Sequence, residues 1–404
     1  MNKIYFWSMS SHGSGLSGGD RIYIEFAKRW SNDYPVTIIT WEEGIAMMTR
    51  NNLREKLNIS FLRLFIPKII HSNFLICYLY RILISIFTSL TLHINNPENT
   101  HLYSSSEFWM DSLPSFILKL RYPTLKWVAT WFQTAPSPLK GFSGGGRSHA
   151  YYLNAFMLWA SQLPIRPLIS KFANYVLVNN NLEKEVFPNS HTVVVLGAVD
   201  TKKTDKYIKS HTRSIKKYSA VFQGRFHPQK GVIELVDIWK KVVEKIPHAK
   251  LAMIGDGPLM LDVKKRINKL ELEKNIDLMS YVFDGTKKYK TFSASLMVVH
   301  PAFFDSGGMA SAEAMAFGLP CIGFNLPAYD SYYPKGMIKT PIGDLNAFAE
   351  SIVDLLKNNS KRIKIGNEAG KFICESYSWD YRAREILRQI VGKKNLERKR
   401  ARFQ

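Results

Sequence analysis

Apolar residues follow two rhythms along the first half of the chain. Short, almost continuous runs (KIYFW, VTIIT, HLYSS, KWVATWF, YVLVNN and TVVVLGAVD) read as strands. Between them, GGDRIYIEFAKRW reads as an amphipathic helix with Ile22, Ile24, Phe26 and Trp30 among its apolar positions, and WMDSLPSFILKL reads as helical but for Pro114. After a basic linker the alternation restarts. SAVFQGRF, AKLAMIGDG, IDLMSYV, SLMVVHPA and PCIGF read as strands. GVIELVDIWKKVVEKI, LMLDVKKRINKLEL, GMASAEAMAFG, DLNAFAESIVDLLKN and WDYRAREILRQIVG read as helices. Apolar, β-branched strands alternating with helices imply parallel sheets covered on both faces. The pattern therefore predicts two successive α/β units, a two-lobed molecule with a cleft.

Length agrees, since 404 residues exceed one core and fit two domains of roughly 150–200 residues each. Cys77, Cys321 and Cys374 are odd in number and far apart, so they form neither a disulfide framework nor a C-x-x-C metal pair. That fits a cytoplasmic setting. The opening MNKIYFWSMSSHGSG lacks the apolar core of a signal peptide, and secretion is not expected. Residues 141–150, with four glycines in the first six positions, read as a loop.

Charge changes the picture further. The formal net charge is +22, with 18 Lys and Arg against 12 Asp and Glu in residues 1–200 and 37 against 21 in residues 201–404. Basic runs lie at 202–217 and 393–403. Such a balance favours phosphorylated substrates, an anionic membrane surface or nucleic acid; a solvated basic face is the plainer alternative. No nucleic-acid reading motif accompanies it, so nucleic acid is not an expected partner. Residues 74–94 are long enough to span a bilayer, but Ser85, Thr88, Ser89 and Thr91 dilute them. Arg81, near the centre, would cost at least about 2.5 kcal/mol there, so a buried or membrane-surface helix is expected instead of a span.

Two stretches of the second half concentrate chemistry. In QGRFHPQKG, Gly224 and Arg225 end a strand and Lys230 precedes a helix, where two cations could neutralise a diphosphate leaving group without metal. The alternative is two ordinary surface cations. In HPAFFDSGGMASAEAMAFGLP, Asp305 closes the loop after a strand. Gly307 and Gly308 make the turn, leaving free amides at Gly308, Met309 and Ala310 as phosphate donors, and Glu313 lies inside the helix. Each acid could accept hydrogen bonds from a different set of hydroxyls on one long ligand, or Asp305 could be a helix cap and Glu313 a structural acid. Near the N-terminus, Gly13, Gly15 and Gly18 match G-x-G-x-x-G, and Glu42 and Glu43 follow at the distance of a ribose-binding acid. Residues 8–12 separate the strand from Gly13, however, which leaves Gly18 and Gly19 at the mouth of the next helix as the pertinent pair. No catalytic His/Asp or Tyr/Lys pair accompanies the loop, which argues against a nicotinamide enzyme.

The second half resembles the donor-binding domain of the glycosyltransferase family 4 enzymes. The resemblance rests on Gly224-Arg225 with Lys230, on IGDGP (254–258), and on the acid-x₇-acid motif from Asp305 to Glu313 followed by AMAFGLP. LGAVDTK (196–202) resembles the turn before the interdomain linker, SWDYRAREIL the final crossing helix, and SGGD (17–20) the glycine loop that opens the first helix. There are departures. The first acid is aspartate, Ser306-Gly307-Gly308 replaces the usual aromatic-bearing run, NLPAYDSYY replaces Gly-Gly-x-Pro-Glu, and Trp131 stands where a histidine is common.

The resemblance implies a GT-B fold of two Rossmann-like domains: an acceptor-binding domain over 1–203, a nucleotide-sugar domain over 204–375, a crossover helix over 376–392 that packs on the first domain, and a basic tail over 393–404. It implies that Arg225 and Lys230 hold the donor diphosphate, that Glu313 binds the ribose hydroxyls, and that Asp305 contacts the transferred sugar. Gly224 and the amides of Gly307, Gly308, Met309 and Ala310 would line the donor, with Gly18 and Gly19 nearing its phosphates. The expected reaction is retaining, metal-independent transfer from a UDP- or GDP-linked sugar to a hydroxyl of a saccharide or lipid-linked acceptor. Neither a metal nor any other cofactor is expected. A cytoplasmic enzyme of envelope polysaccharide, lipopolysaccharide or glycolipid synthesis follows, peripheral at the inner face of an anionic membrane. The alternative is a weakened homologue that serves as a binding or scaffold subunit.

Overall fold

The computed structural model describes residues 3–13, 15–142, 151–211 and 215–392. They fall into two compact units. The first comprises the described residues of Met1–Ala135 and Met157–Gly197 and those from Asp380 onward; the second comprises those of Pro136–Phe156 and Ala198–Trp379. Pro136–Phe156 thus goes with the second unit, although it lies within the span read as the first domain.

The first unit is built on seven strands: β1 (Lys3–Trp7), β2 (Val36–Thr40), β3 (Ile59–Arg63), β4 (Thr100–Ser104), β5 (Lys126–Trp131), β6 (Tyr175–Val178) and β7 (Thr192–Val194). Their order is β3-β2-β1-β4-β5-β6-β7, with every pair parallel. Tyr5 lies opposite both Thr37 and Leu102. All of β2 and β4 is buried, as expected when helices cover both faces. The second unit holds β8 (Ala220–Gln223), β9 (Leu251–Ile254), β10 (Ile276–Met279), β11 (Val298–His300), β12 (Cys321–Phe324) and β13 (Met337–Thr340). Their order is β10-β9-β8-β11-β12-β13, again all parallel. In both sheets the strand order reverses once, between β1 and β4 and between β8 and β11. Open α/β sheets bind ligands outside the carboxyl ends of strands at such reversals.

The helix Gly18–Trp30 starts where Ser17 and Asp20 form a reciprocal capping box, and Ser11 Oγ donates to Asp20 at 2.8 Å. The helix Trp109–Arg121 runs through Pro114, which deprives only the Met110 carbonyl of its intrahelical donor. The helix Phe74–Thr91 packs against it with Cys77, Arg81, Ile82, Ser85 and Ser89 buried. Arg81 donates to the Met9 carbonyl at 3.1 Å and lies over the Trp41 ring, so its charge is turned into the unit.

The basic stretch 202–217, read as a linker, begins as the helix Thr201–Ser210. The side chain of Asp200 caps it by accepting from the Lys203 amide. Residues 212–214, most of the glycine-rich loop (143–150) and the basic tail (393–404) lie outside the described residues. The last described helix, Trp379–Val391, packs in the first unit. Asp380 meets Arg29 Nε at 2.7 Å, Ala383 O accepts from Trp30 Nε1 at 2.8 Å, and Ile390 O accepts from His101 Nε2 at 3.2 Å.

Candidate functional site

The reversal in the second sheet gathers most of the residues singled out in the sequence. β8 ends at Gln223, and Gly224 and Arg225 follow in the loop at its carboxyl end. Arg225 is exposed and makes no ion pair among the described residues. Lys230 closes a 3₁₀ turn, Pro228–Lys230, and Gly231 then takes the left-handed conformation (φ 60°) before the helix Val232–Lys245. A Cβ on Gly231 would sit 2.1 Å from the Pro301 carbonyl, so glycine lets this turn press against the loop after β11.

Lys230 meets Asp305 there, Nζ to Oδ2, at 2.6 Å. The same Oδ2 accepts from His300 Nε2 at 2.8 Å and from the Tyr329 hydroxyl at 3.2 Å, while Oδ1 accepts from the Gly307 amide at 3.3 Å. His300 is the last residue of β11 and is 1% exposed. Burial alone would push the Asp305 carboxyl up. The Lys230 ammonium and the His300 hydrogen bond outweigh it and hold the carboxyl well below the usual carboxylate range. Burial also pushes His300 down, so its neutral ring donates Nε2–H. The result is an ionised aspartate with a fixed orientation.

The turn after Asp305 is made for two glycines. A Cβ on Gly307 would fall 2.2 Å from Cζ of Tyr332, itself 1% exposed. Gly308 has φ 58°, and its carbonyl accepts from the Tyr333 hydroxyl at 2.5 Å. Met309 and Ala310 open the short helix Met309–Met315, both half-buried, with first-turn amides that have no intrahelical acceptor.

Glu313, inside that helix, does not stand alone. Gln223 Nε2 donates to its Oε2 at 3.0 Å, and Lys288 Nζ contacts the same oxygen. Lys288 comes from the helix Thr286–Ser293, is 2% exposed, and also meets Asp284 Oδ1 at 2.6 Å. The half-buried Glu313 carboxylate is thus held in place between a buried lysine and an amide.

The structure therefore brings Gly224, Arg225, Lys230, Asp305, Gly307, Gly308 and Glu313 to one end of one sheet. Gly18 and Gly19 open the first helix of the other unit. Glu43 makes local contacts in the first unit: its Oε2 accepts from the Gly13 amide (2.6 Å) and meets His12 Nδ1 (2.9 Å). Sequence reasoning missed Lys288, His300, Gln223 and the three tyrosines. Lys288 was one lysine among many in FDGTKKYKTF; its spacing of four from Asp284 was the available signal.

Comparisons with known proteins bear on the fold and on the family to which the second unit is similar. Residues 203–372 match the family model described as Glycosyl transferases group 1. The poly(glycerol-phosphate) alpha-glucosyltransferase of Bacillus subtilis is 23% identical over 197 residues, 45% of this chain and 28% of that protein. The capsular polysaccharide biosynthesis glycosyltransferase CapM of Staphylococcus aureus is 26% identical over 225 residues, 52% of this chain and 57% of that protein. The chain thus spans less than two thirds of either relative. Anabaena HepE, crystallised with UDP and glucose, superposes with a TM-score of 0.70 at 14% identity, covering 97% of this chain and 100% of HepE. The chain has the GT-B fold, and its residues 203–372 carry the sequence pattern of the glycosyl transferases group 1 family.

Proposed function

We propose that the chain is a retaining glycosyltransferase of family 4. It would move a sugar from a UDP- or GDP-linked donor to a hydroxyl of a saccharide or lipid-linked acceptor. The observation that carries this reading is the convergence of Arg225, Lys230, Asp305 and Glu313 at the reversal of the second sheet, inside the segment that matches the family. In the reaction, the bond from the anomeric carbon to the diphosphate oxygen breaks and its electron pair stays with the diphosphate. The acceptor oxygen bonds to the same face of that carbon and passes its proton to the departing diphosphate oxygen. Arg225 and Lys230 stabilise the departing charge together with the amides at Gly307, Gly308, Met309 and Ala310. No metal is required for this. Glu313 takes the ribose hydroxyls and Asp305 a hydroxyl of the transferred sugar.

The names of the relatives support an envelope acceptor: one acts on poly(glycerol-phosphate) and the other serves capsular polysaccharide synthesis. UDP as the carrier is supported by its presence in HepE. The proposed setting is the cytoplasmic face of an anionic membrane. Support comes from the outward face of the helix Phe74–Thr91, which exposes Leu75, Leu79, Leu83, Phe87 and Leu90 on a chain of net charge +22. A thermal-shift panel of UDP-, GDP-, ADP- and CMP-sugars, followed by a transfer assay with the stabilising donor, tests the reading. Stabilisation with transfer supports it; binding without turnover would make the chain a non-catalytic subunit.

A further inference from the structure

Lys288 is the most deeply buried charged side chain of the second unit's site, and no step of the proposed transfer employs it. Its side chain is 3% exposed, yet it carries its ammonium to Glu313 Oε2 on one side and Asp284 Oδ1 on the other. Gln223, at the end of β8, reaches the same Glu313 oxygen with its amide N–H. The Oε1 of Gln223 is buried and finds no donor among the described residues, so its orientation is set by Glu313 alone. Burying an ammonium beside two carboxylates is costly unless its geometry is needed. The helix Thr286–Ser293 would pack more cheaply with an apolar residue at this position, where Thr291 and Phe292 are its other buried side chains.

We infer that Lys288 is a positioning residue for nucleoside recognition: together with Gln223 it pins Glu313 through one oxygen, so that the carboxylate meets two vicinal ribose hydroxyls in a single orientation. The inference rests on the reading of Glu313 as the ribose-binding acid. A carboxylate free to rotate would bind one hydroxyl nearly as well as two. The lysine therefore acts on the discrimination between ribose and 2′-deoxyribose, a property that packing alone would not produce. Removing a hydrogen bond to a charged group changes binding by roughly tenfold or more.

The test is calorimetric titration of the full chain with UDP and 2′-deoxy-UDP, and with GDP and 2′-deoxy-GDP, each beside a thermal melt. The native chain should prefer the better-bound ribonucleotide over its deoxy form by about tenfold or more. Lys288→Met should weaken the ribonucleotide and leave the deoxynucleotide unchanged, bringing the ratio near one. Lys288→Arg, which retains the charge at altered reach, gives a second reading should the methionine variant not fold; it should cut the ratio by about threefold. A lowered melting temperature with the ratio intact in these variants would overturn the inference, because the lysine would then be structural. Glu313→Ala separates the two levels. If it abolishes discrimination and the Lys288 variants do not, this inference alone falls. If it leaves discrimination intact, or none of the four nucleotides binds the native chain, the reading of Glu313 falls and this inference with it.

Discussion

Lys230 Nζ and Asp305 Oδ2 lie 2.6 Å apart, joining the turn after β8 to the loop after β11. The pair binds together two loops that the sequence separates by seventy-five residues, and it decides the ionisation of the aspartate. Lys230→Met should leave the buried carboxyl with burial as its dominant influence and raise it above its unfolded value. In the native chain the depressed Asp305 stabilises at pH above about 4 and loses that contribution as pH falls. In the variant the sign reverses, so the deficit should grow from pH 4 to pH 7 and reach about 3 kcal/mol. Melts across that range check it; a deficit independent of pH would mean that the ion pair is not what holds the aspartate.

Gly307 and Tyr332 cannot both accept a larger neighbour. The ring is buried, and a Cβ at residue 307 would overlap it at 2.2 Å. Gly307→Ala should cost about 2 kcal/mol by overpacking and weaken nucleotide-sugar binding by shifting the turn. Tyr332→Ala in the same chain should relieve part of the overlap. Thermal melts of the single and double variants give the coupling.

A second pH dependence belongs to the first unit. Burial pushes the Glu107 carboxyl up to about 7, against hydrogen bonds from the backbone and Gln162. A raised carboxylate stabilises fully below its unfolded value and loses that contribution as pH rises through the folded one. The native chain should therefore lose up to about 3 kcal/mol between pH 4.5 and 7 from this group. Glu107→Gln should remove that part of the slope, measured as melting temperature against pH. His101, pushed down to about 4 by burial and then by Lys126, acts in the opposite sense: its contribution is present above about 6.5 and lost toward pH 4. The same variant leaves that term unchanged.

The exposed apolar face of the helix Phe74–Thr91 makes its own prediction. Leu79, Leu83 and Phe87 are each about half exposed or more, so replacing all three by Ser should leave the melting temperature within a few degrees. Co-sedimentation with anionic vesicles at low salt should drop several-fold. Undiminished sedimentation would remove this helix from the membrane contact.

What the sequence revealed and concealed follows from the physics of each signal. Continuous apolar runs exposed most of the central strands, because strands buried on both faces need no polar positions. The edge strands β3 and β13 were missed, since ISFLR and MIKT are only partly buried and carry weaker patterns. The short helices Glu42–Arg50 and Ala328–Tyr332 and the long, polar helix Asn359–Ser376 escaped as well, the first two for want of length and the third for want of an apolar stripe. At the site, Asp305, Glu313, Arg225 and Lys230 were legible from glycine spacing and the strand ends. Lys288, Tyr329 and His300 act through tertiary contacts over 25, 24 and 5 residues, which no local periodicity encodes.

The most direct test of the donor site is turnover. The chain should be incubated with the nucleotide sugar that stabilises it, and release of nucleoside diphosphate should be followed for the native protein, Arg225→Ala and Glu313→Ala. The expected result is measurable release by the native chain and a loss of at least about a hundredfold in kcat/KM for both variants. Arg225→Ala should melt within a few degrees of native, whereas Glu313→Ala, which deprives the buried Lys288 of one carboxylate, should melt lower while remaining folded. Native-level release by both folded variants would contradict a donor site at the carboxyl ends of β8 and β11.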